Sequence, residues 1–362
     1  MNILIFKDNE ISELIEAINL LQIIFHPHYM ELGEIKIKDI FELQSKDNLI
    51  FLDSNLLSPI YDLGKYGKSK NKRGLQIAAL IVIFSKLIHA RITAGLALIE
   101  NDSNSKKSIS SEEKVQYCLH AIDEIPLMVW KGLAWELINE IPKGLTLQEA
   151  NTKKEGTFEY KDNSLLKQNK IALIKMVYIL RNKGYGFDSF YIFLKWYIDN
   201  LLFNESLIVY TAMIFGNIDQ VKAPKNMNNM NFNRVIEGIE NQAWDIYHLT
   251  QWKKFQHLEK DTNKINFFAT NDNSLKFILV NSLPGEWLSA IYCIFKTKKE
   301  QDKIESLVRS HLFENRIYPF DLNNKEEIQY KMNLLLIEVE KQLHELITKD
   351  NQKIGGTKWK LK

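Results

Sequence analysis

Asn48-Leu49-Ile50-Phe51-Leu52-Asp53-Ser54-Asn55 contains four consecutive apolar residues that stop abruptly on a carboxylate. A short branched and aromatic run of this kind reads as a buried strand, and Asp53 falls where that strand leaves the sheet. An aspartate there is either the cap of a following helix or part of a site. A second place of the same kind lies far along the chain. Lys264-Ile265-Asn266-Phe267-Phe268-Ala269-Thr270 reads as a strand, and Thr270-Asn271-Asp272-Asn273 as the turn after it.

Working outward from Asp53, the spacing predicts a first strand over Ile3 to Phe6, a helix from Glu10 to Phe25 and a strand from Leu49 to Leu52. A very apolar helix is expected from Leu75, ending at Glu100. Strands alternating with helices favour an α/β unit with a largely parallel sheet. Between the first acid and that helix, Asp62 to Gly74 is glycine-rich and basic, which reads as an exposed loop. Asn101 to Glu113 is a polar, serine-rich linker by composition. Residues 114 to 235 carry apolar residues at helical intervals, as does Val235 to Phe255, and Lys325 to Thr348 reads as a C-terminal helix.

The chain of 362 residues is 45% hydrophobic and 25% charged, the composition of an ordinary globular protein. Its 47 Lys and Arg against 45 Asp and Glu leave a net charge of +2, so any nucleic-acid partner must be met by a local patch. Cys118 and Cys293 are too few for a disulfide framework or a cysteine zinc site, and they fit a reducing, cytoplasmic setting. The N-terminal run is too short for a signal segment. Lys86, His89 and Arg91 interrupt the most apolar stretch and argue against a membrane span. No P-loop, no dinucleotide-binding glycine pattern and no Ser-His-Asp order occurs. His26-Pro27-His28 lacks a nearby third metal ligand and reads as a loop.

In a parallel sheet the carboxyl ends of the strands share one edge, where ligands usually bind. Asp53 and Asp272 would then converge. Convergent carboxylates repel unless a cation sits between them, and hard ions such as Mg²⁺ or Mn²⁺ prefer oxygen ligands. Glu100, at the end of the apolar helix, and Asp245, between Trp244 and Ile246 on another helix, are candidates to complete the set. Asn55 and Thr270 would hold the carboxylates in place. Lys65, Lys68, Lys70, Lys72 and Arg73 would border the acids and contact phosphates. Trp244 and Tyr247, if exposed, offer faces for base stacking.

These residues resemble a PIN-like nuclease. Asp53-Ser54-Asn55 is similar to the family's Asp-x-Asn after a central strand, and Glu100 to its glutamate late in the next helix. Asp245 matches an acid in the helix before a later strand, and Thr270-Asn271-Asp272 matches a Thr-x-Asp turn after it. The resemblance covers about residues 45 to 100 and 235 to 282. It implies a three-layer α/β/α sandwich around a central mostly parallel sheet, whose acids bind one or two Mg²⁺ or Mn²⁺ ions and hydrolyse RNA. Residues 1–113 and 235–300 would form the nuclease domain, 114–234 a helical insertion suited to a protein partner, and 301–362 a C-terminal helical extension. The family keeps its second and third acids closer in sequence, which leaves Asp102, Asp123 and Glu124 open as alternatives to Glu100. A toxin or phage-defence effector is the setting that the resemblance suggests. A DNA-cutting relative similar to flap endonucleases, or a non-catalytic scaffold, are the other readings.

Overall fold

In the computed structural model, which describes residues 6–27, 34–94, 111–145, 164–283, 285–310, 319–321 and 323–358, the opening apolar run becomes strand β2 (Asp47–Leu52). Among the described residues it lies inside a four-stranded sheet of order β1-β4-β2-β3, with β1 spanning Ile24–Phe25, β3 Arg91–Thr93 and β4 Lys264–Ala269. β2 runs parallel to both neighbours, while β1 closes one edge antiparallel to β4. The protein is thus mixed α/β.

The chain divides into two compact units, Met1–Tyr160 with Gln251–Asp272, and Lys161–Thr250 with Asn273–Lys362. The first holds the sheet. Alternation along β2 and β4 sends Ile50, Leu52, Phe267 and Ala269 into one buried cluster. That cluster is completed by α1 (Asp8–Leu21), α2 (Ile37–Leu43), α3 (Ser54–Tyr66), α4 (Lys72–Leu87), α5 (Ser111–Glu124) and α6 (Leu127–Ala134). α4 is its centre. Leu75 and every residue from Ile77 to Ser85 are buried, which is why its sequence has no polar face. Phe51 and Phe268 point to the opposite face of the sheet. There Phe51 stacks on Phe255 at 4.9 Å and Phe268 meets Trp252 at 5.8 Å, both partners lying at the end of α10 (Phe232–His257).

Several expectations are corrected here. The N-terminal helix stops at Leu21, because Gln22 turns left-handed (φ 48°) and Ile24–Phe25 pair with β4 instead. Phe6 is not in a strand, and the rest of the expected first strand lies outside the described residues. The apolar helix ends at Leu87 rather than at Glu100. Ile88 caps it, His89 is left-handed (φ 55°), and Arg91-Ile92-Thr93 joins the sheet. Its neighbours Ile92 and Thr93 are β-branched, which suits a strand. The basic stretch is also shorter as a loop than it reads. α3 reaches Tyr66 and is ended by Gly67 at φ 72°, a conformation that glycine adopts without strain, and α4 begins at Lys72.

Residues 111–134, read as linker and insertion, pack inside the first unit. The Cys118 thiol on α5 donates to the Leu57 carbonyl on α3 at 3.2 Å, and Gln76 on α4 donates to the Ala134 carbonyl on α6 at 3.1 Å. The remainder of the expected linker lies outside the described residues.

The second unit is helical as described. It contains α7 (Ser164–Lys183), α8 (Phe187–Asn200), α9 (Glu205–Phe215), α10 up to Thr250, α11 (Asn273–Asn281), α12 (Trp287–Ile294), α13 (Lys298–Val308) and α14 (Lys325–Lys358). Its core carries a buried amide network: Asn204 donates to Asn169 Oδ1 at 3.2 Å and to Thr250 Oγ1 at 3.1 Å, and Asn169 donates to the Ala243 carbonyl at 3.3 Å. Hydrogen bonds replace the water these groups lose on burial. α14 lays Met332, Val339, Leu343 and Ile347 inward, the spacing of one helix face. No helix among the described residues is long and apolar enough to cross a membrane.

Candidate functional site

The register Leu52↔Ala269 brings the two parallel strands out of the sheet side by side. The next residues are therefore neighbours, and the Asp53 amide extends the ladder by donating to the Ala269 carbonyl at 3.0 Å. Asp53 then turns the chain into α3 as its N-cap, with φ −71° and ψ 152°. Its carboxylate is 2% exposed. Oδ1 accepts from the Ser54 amide at 2.7 Å, and Oδ2 accepts from Asn55 Nδ2 and from the Thr270 hydroxyl, each at 2.6 Å. Removing a carboxylate from water is costly unless donors replace the lost hydration, and bonds to a charged acceptor are the strong ones.

Thr270 is the joint of this cluster. It is fully buried, its amide donates to the Ile23 carbonyl at 3.1 Å, and its Oγ1 accepts from the Asp272 amide at 3.0 Å. Asn55 closes the circle by accepting from the Asn271 amide at 3.4 Å. Four residues expected together from sequence, Asp53, Asn55, Thr270 and Asp272, thus meet at one edge of the sheet. Asp272 is half-buried and immediately precedes α11.

Glu100 lies outside the described residues, as does Asp102. Asp123 is exposed and stands 3.8 Å from Lys86. Asp245 belongs to the second unit, half-buried on α10, where it accepts from Gln242 Nε2 at 3.3 Å. The Tyr210 hydroxyl is pushed well above its ordinary pKa, mainly by burial and further by the charge of Asp245. Trp244 and Tyr247 are buried, so neither offers a face to a base. His26 bonds Glu259 at 2.8 Å. Among the described residues, no group of three or more His, Cys, Asp or Glu side chains is arranged to hold a metal ion.

The basic residues do not border Asp53. Lys65 lies twelve positions beyond it along α3, about 18 Å at 1.5 Å per residue. The following loop folds back on that far end, with the Ser69 hydroxyl donating to Asp62 at 3.0 Å. Lys65 itself is engaged. Its ammonium pairs with Glu113 at 3.2 Å and lies 5.3 Å and 5.4 Å from the ring centres of Tyr61 and Tyr117. Tyr61 first, and then Glu113, raise its pKa above the ordinary lysine value. Lys68, Lys70, Lys72 and Arg73 are exposed. The last two open onto a cavity of about 350 Å³ whose other walls include Leu133, Ile138 and Asn139. Sequence reasoning missed this cavity, because its far wall comes some sixty residues after the basic stretch and carries no motif.

No family model, curated protein or solved structure matches this chain.

Proposed function

We propose that the chain is a metal-dependent endoribonuclease of PIN-like type that cuts phosphodiester bonds at the sheet edge of Asp53 and Asp272. The observation that carries this reading is the buried Asp53 carboxylate, fixed by Asn55 and Thr270 at the carboxyl ends of two adjacent parallel strands. Ligands of open α/β sheets bind at that edge. The carboxylate oxygens suit Mg²⁺ or Mn²⁺, and Mg²⁺ is commonly held by only one or two carboxylates with water in the other positions. Asp53 and Asp272 would hold it. Such an ion, when bound, lowers the pKa of water and neutralises charge on the phosphate. The part of this chain's own residues is positional: Asn55 and Thr270 lock the rotamer of Asp53, and the Thr270 hydroxyl sets the backbone from which Asp272 projects.

A three-layer α/β/α arrangement belongs to the same reading, supported by apolar side chains on both faces of the sheet meeting helices. So does a cytoplasmic toxin or phage-defence role, which rests on family analogy. The test is incubation of RNA with the full chain and Mn²⁺, alongside Asp53→Asn and Asp272→Asn. Loss of cleavage in both, with the fold intact by circular dichroism, is expected; undiminished cleavage in either refutes the assignment. A structured DNA competitor separates RNA from DNA specificity.

A second reading is a non-catalytic binding module. It is favoured by the role of Asp53 as the cap of α3, with donors on both oxygens. Calorimetric titration with Mn²⁺ decides between them: no binding, or binding indifferent to Asp53 and Asp272, selects the module.

A further inference from the structure

We propose that the cavity beside Lys72 and Arg73 is a binding pocket for a nucleotide unit, distinct from the edge at Asp53. At about 350 Å³ it falls in the range of small-molecule sites, roughly 300–1,000 Å³. Its walls divide by chemistry. Ile138, half-buried, offers an apolar contact to a base with the nearly buried Leu75 and Leu133 behind it, Lys72 and Arg73 offer two cations to a phosphate, and Asn139 and Glu136 offer a donor-acceptor pair to a base edge. Two cations against one carboxylate leave the wall net positive.

The polar groups are pre-set. Arg73 Nη1 donates to Gln76 Oε1, and Gln76 is itself tied to the Ala134 carbonyl at 3.1 Å, so the guanidinium is held at the rim. Glu136 is a non-glycine residue at φ 58°. Such a conformation is strained for a residue with a side chain and persists only where surrounding bonds over-determine it. Here Leu137 and Ile138 both donate their amides to the Gly132 carbonyl, at 2.8 and 3.1 Å. The end of α4 is not what binds, since Asn71 already accepts from the Gly74 amide at 2.9 Å; the ligand meets the side chains around the cavity instead. A plain phosphate would leave Ile138 and the polar groups of Asn139 and Glu136 unused, which selects a ligand carrying both a phosphate and a flat base. The choice of a nucleotide rests on the phosphodiesterase reading above, while the cavity does not.

The experiment is equilibrium binding to the full chain in a metal chelator. The probes are the four 5′-nucleoside monophosphates, inorganic phosphate, and a short fluorescein-labelled oligoribonucleotide. A monophosphate that binds saturably marks a free-nucleotide pocket, and saturable binding of the oligoribonucleotide alone marks a place on an RNA track; either supports the proposal if Lys72→Ala/Arg73→Ala weakens it at least about tenfold. For the strand, the double variant should also lower the salt slope by about 1.4, two phosphate contacts at about 0.7 each. No saturable binding, binding indifferent to the double variant, or inorganic phosphate binding as tightly as any monophosphate overturns the proposal. Because the readout needs no cleavage, failure of the nuclease test and failure of this one are distinguishable.

Discussion

Thr270→Val tests whether the sheet edge is built as the geometry implies. The substitution keeps the side chain's shape and removes its hydroxyl, deleting the donor to Asp53 Oδ2 at 2.6 Å and the acceptor of the Asp272 amide at 3.0 Å. The first bond ends on a buried carboxylate, for which about 1.5–3 kcal/mol is expected, and the second is an ordinary bond of about 0.5–1.5 kcal/mol. A cycle with Asp53→Ala isolates the first, because only that term depends on both side chains and alanine leaves no acceptor there. The coupling should then be about 1.5–3 kcal/mol, or roughly 10- to 140-fold in an equilibrium constant. Since the chain has two compact units, a single global unfolding transition is not assured. Native-state hydrogen exchange of peptides covering β2 with the start of α3, and β4 with the following turn, reads the stability locally. A coupling below about 0.5 kcal/mol would mean that Asp53 draws its stabilisation from elsewhere, and the argument for a fixed carboxylate at this edge would fail.

Two further outcomes follow from packing and burial. A Cβ at Gly238 in α10 would stand 1.7 Å from the Lys225 carbonyl oxygen; Gly238→Ala should therefore lower the melting temperature of the second unit by the equivalent of about 1–3 kcal/mol, and an unchanged melting curve would contradict that close approach. Burial pushes the Cys118 thiol up to about 12, so alkylation of the native protein at pH 8 should label exposed Cys293 and spare Cys118, as mass spectrometry can read. The sign for stability follows: the unfolded thiol ionises near about 8.5, below the folded value. The contribution of the buried thiol is thus complete below that pH and declines as pH rises toward 12, a loss that Cys118→Ala should lack.

The sequence was most informative where local pattern and buried surface agree. Four apolar residues before Asp53, and the similar run before Thr270, marked two strands, and placing an acid just beyond each pointed to one shared edge. Asp53, Asn55, Thr270 and the Asp272 amide come together because a parallel register lets strand ends of equal pattern leave the sheet side by side. Sequence reasoning went astray where one apolar run served two structures. Between Leu75 and Ile92 the polar residues Lys86, His89 and Arg91 are scattered in a way that does not mark the passage from α4 to β3, and only pairing with β2 decides it.

By itself, then, the chain determined its mixed helix-and-sheet composition, the two strand ends with their acids, and the helical character of residues 164–215, since each depends on short-range periodicity. Tertiary structure alone decided the rest. α3 carries Lys65 about 18 Å from the acid it follows in sequence, Lys65 is turned onto tyrosine rings and Glu113, and Leu133, Ile138 and Asn139 come round to face Lys72 and Arg73. Those contacts join residues tens of positions apart, and no local propensity encodes which distant surface a helix end will meet.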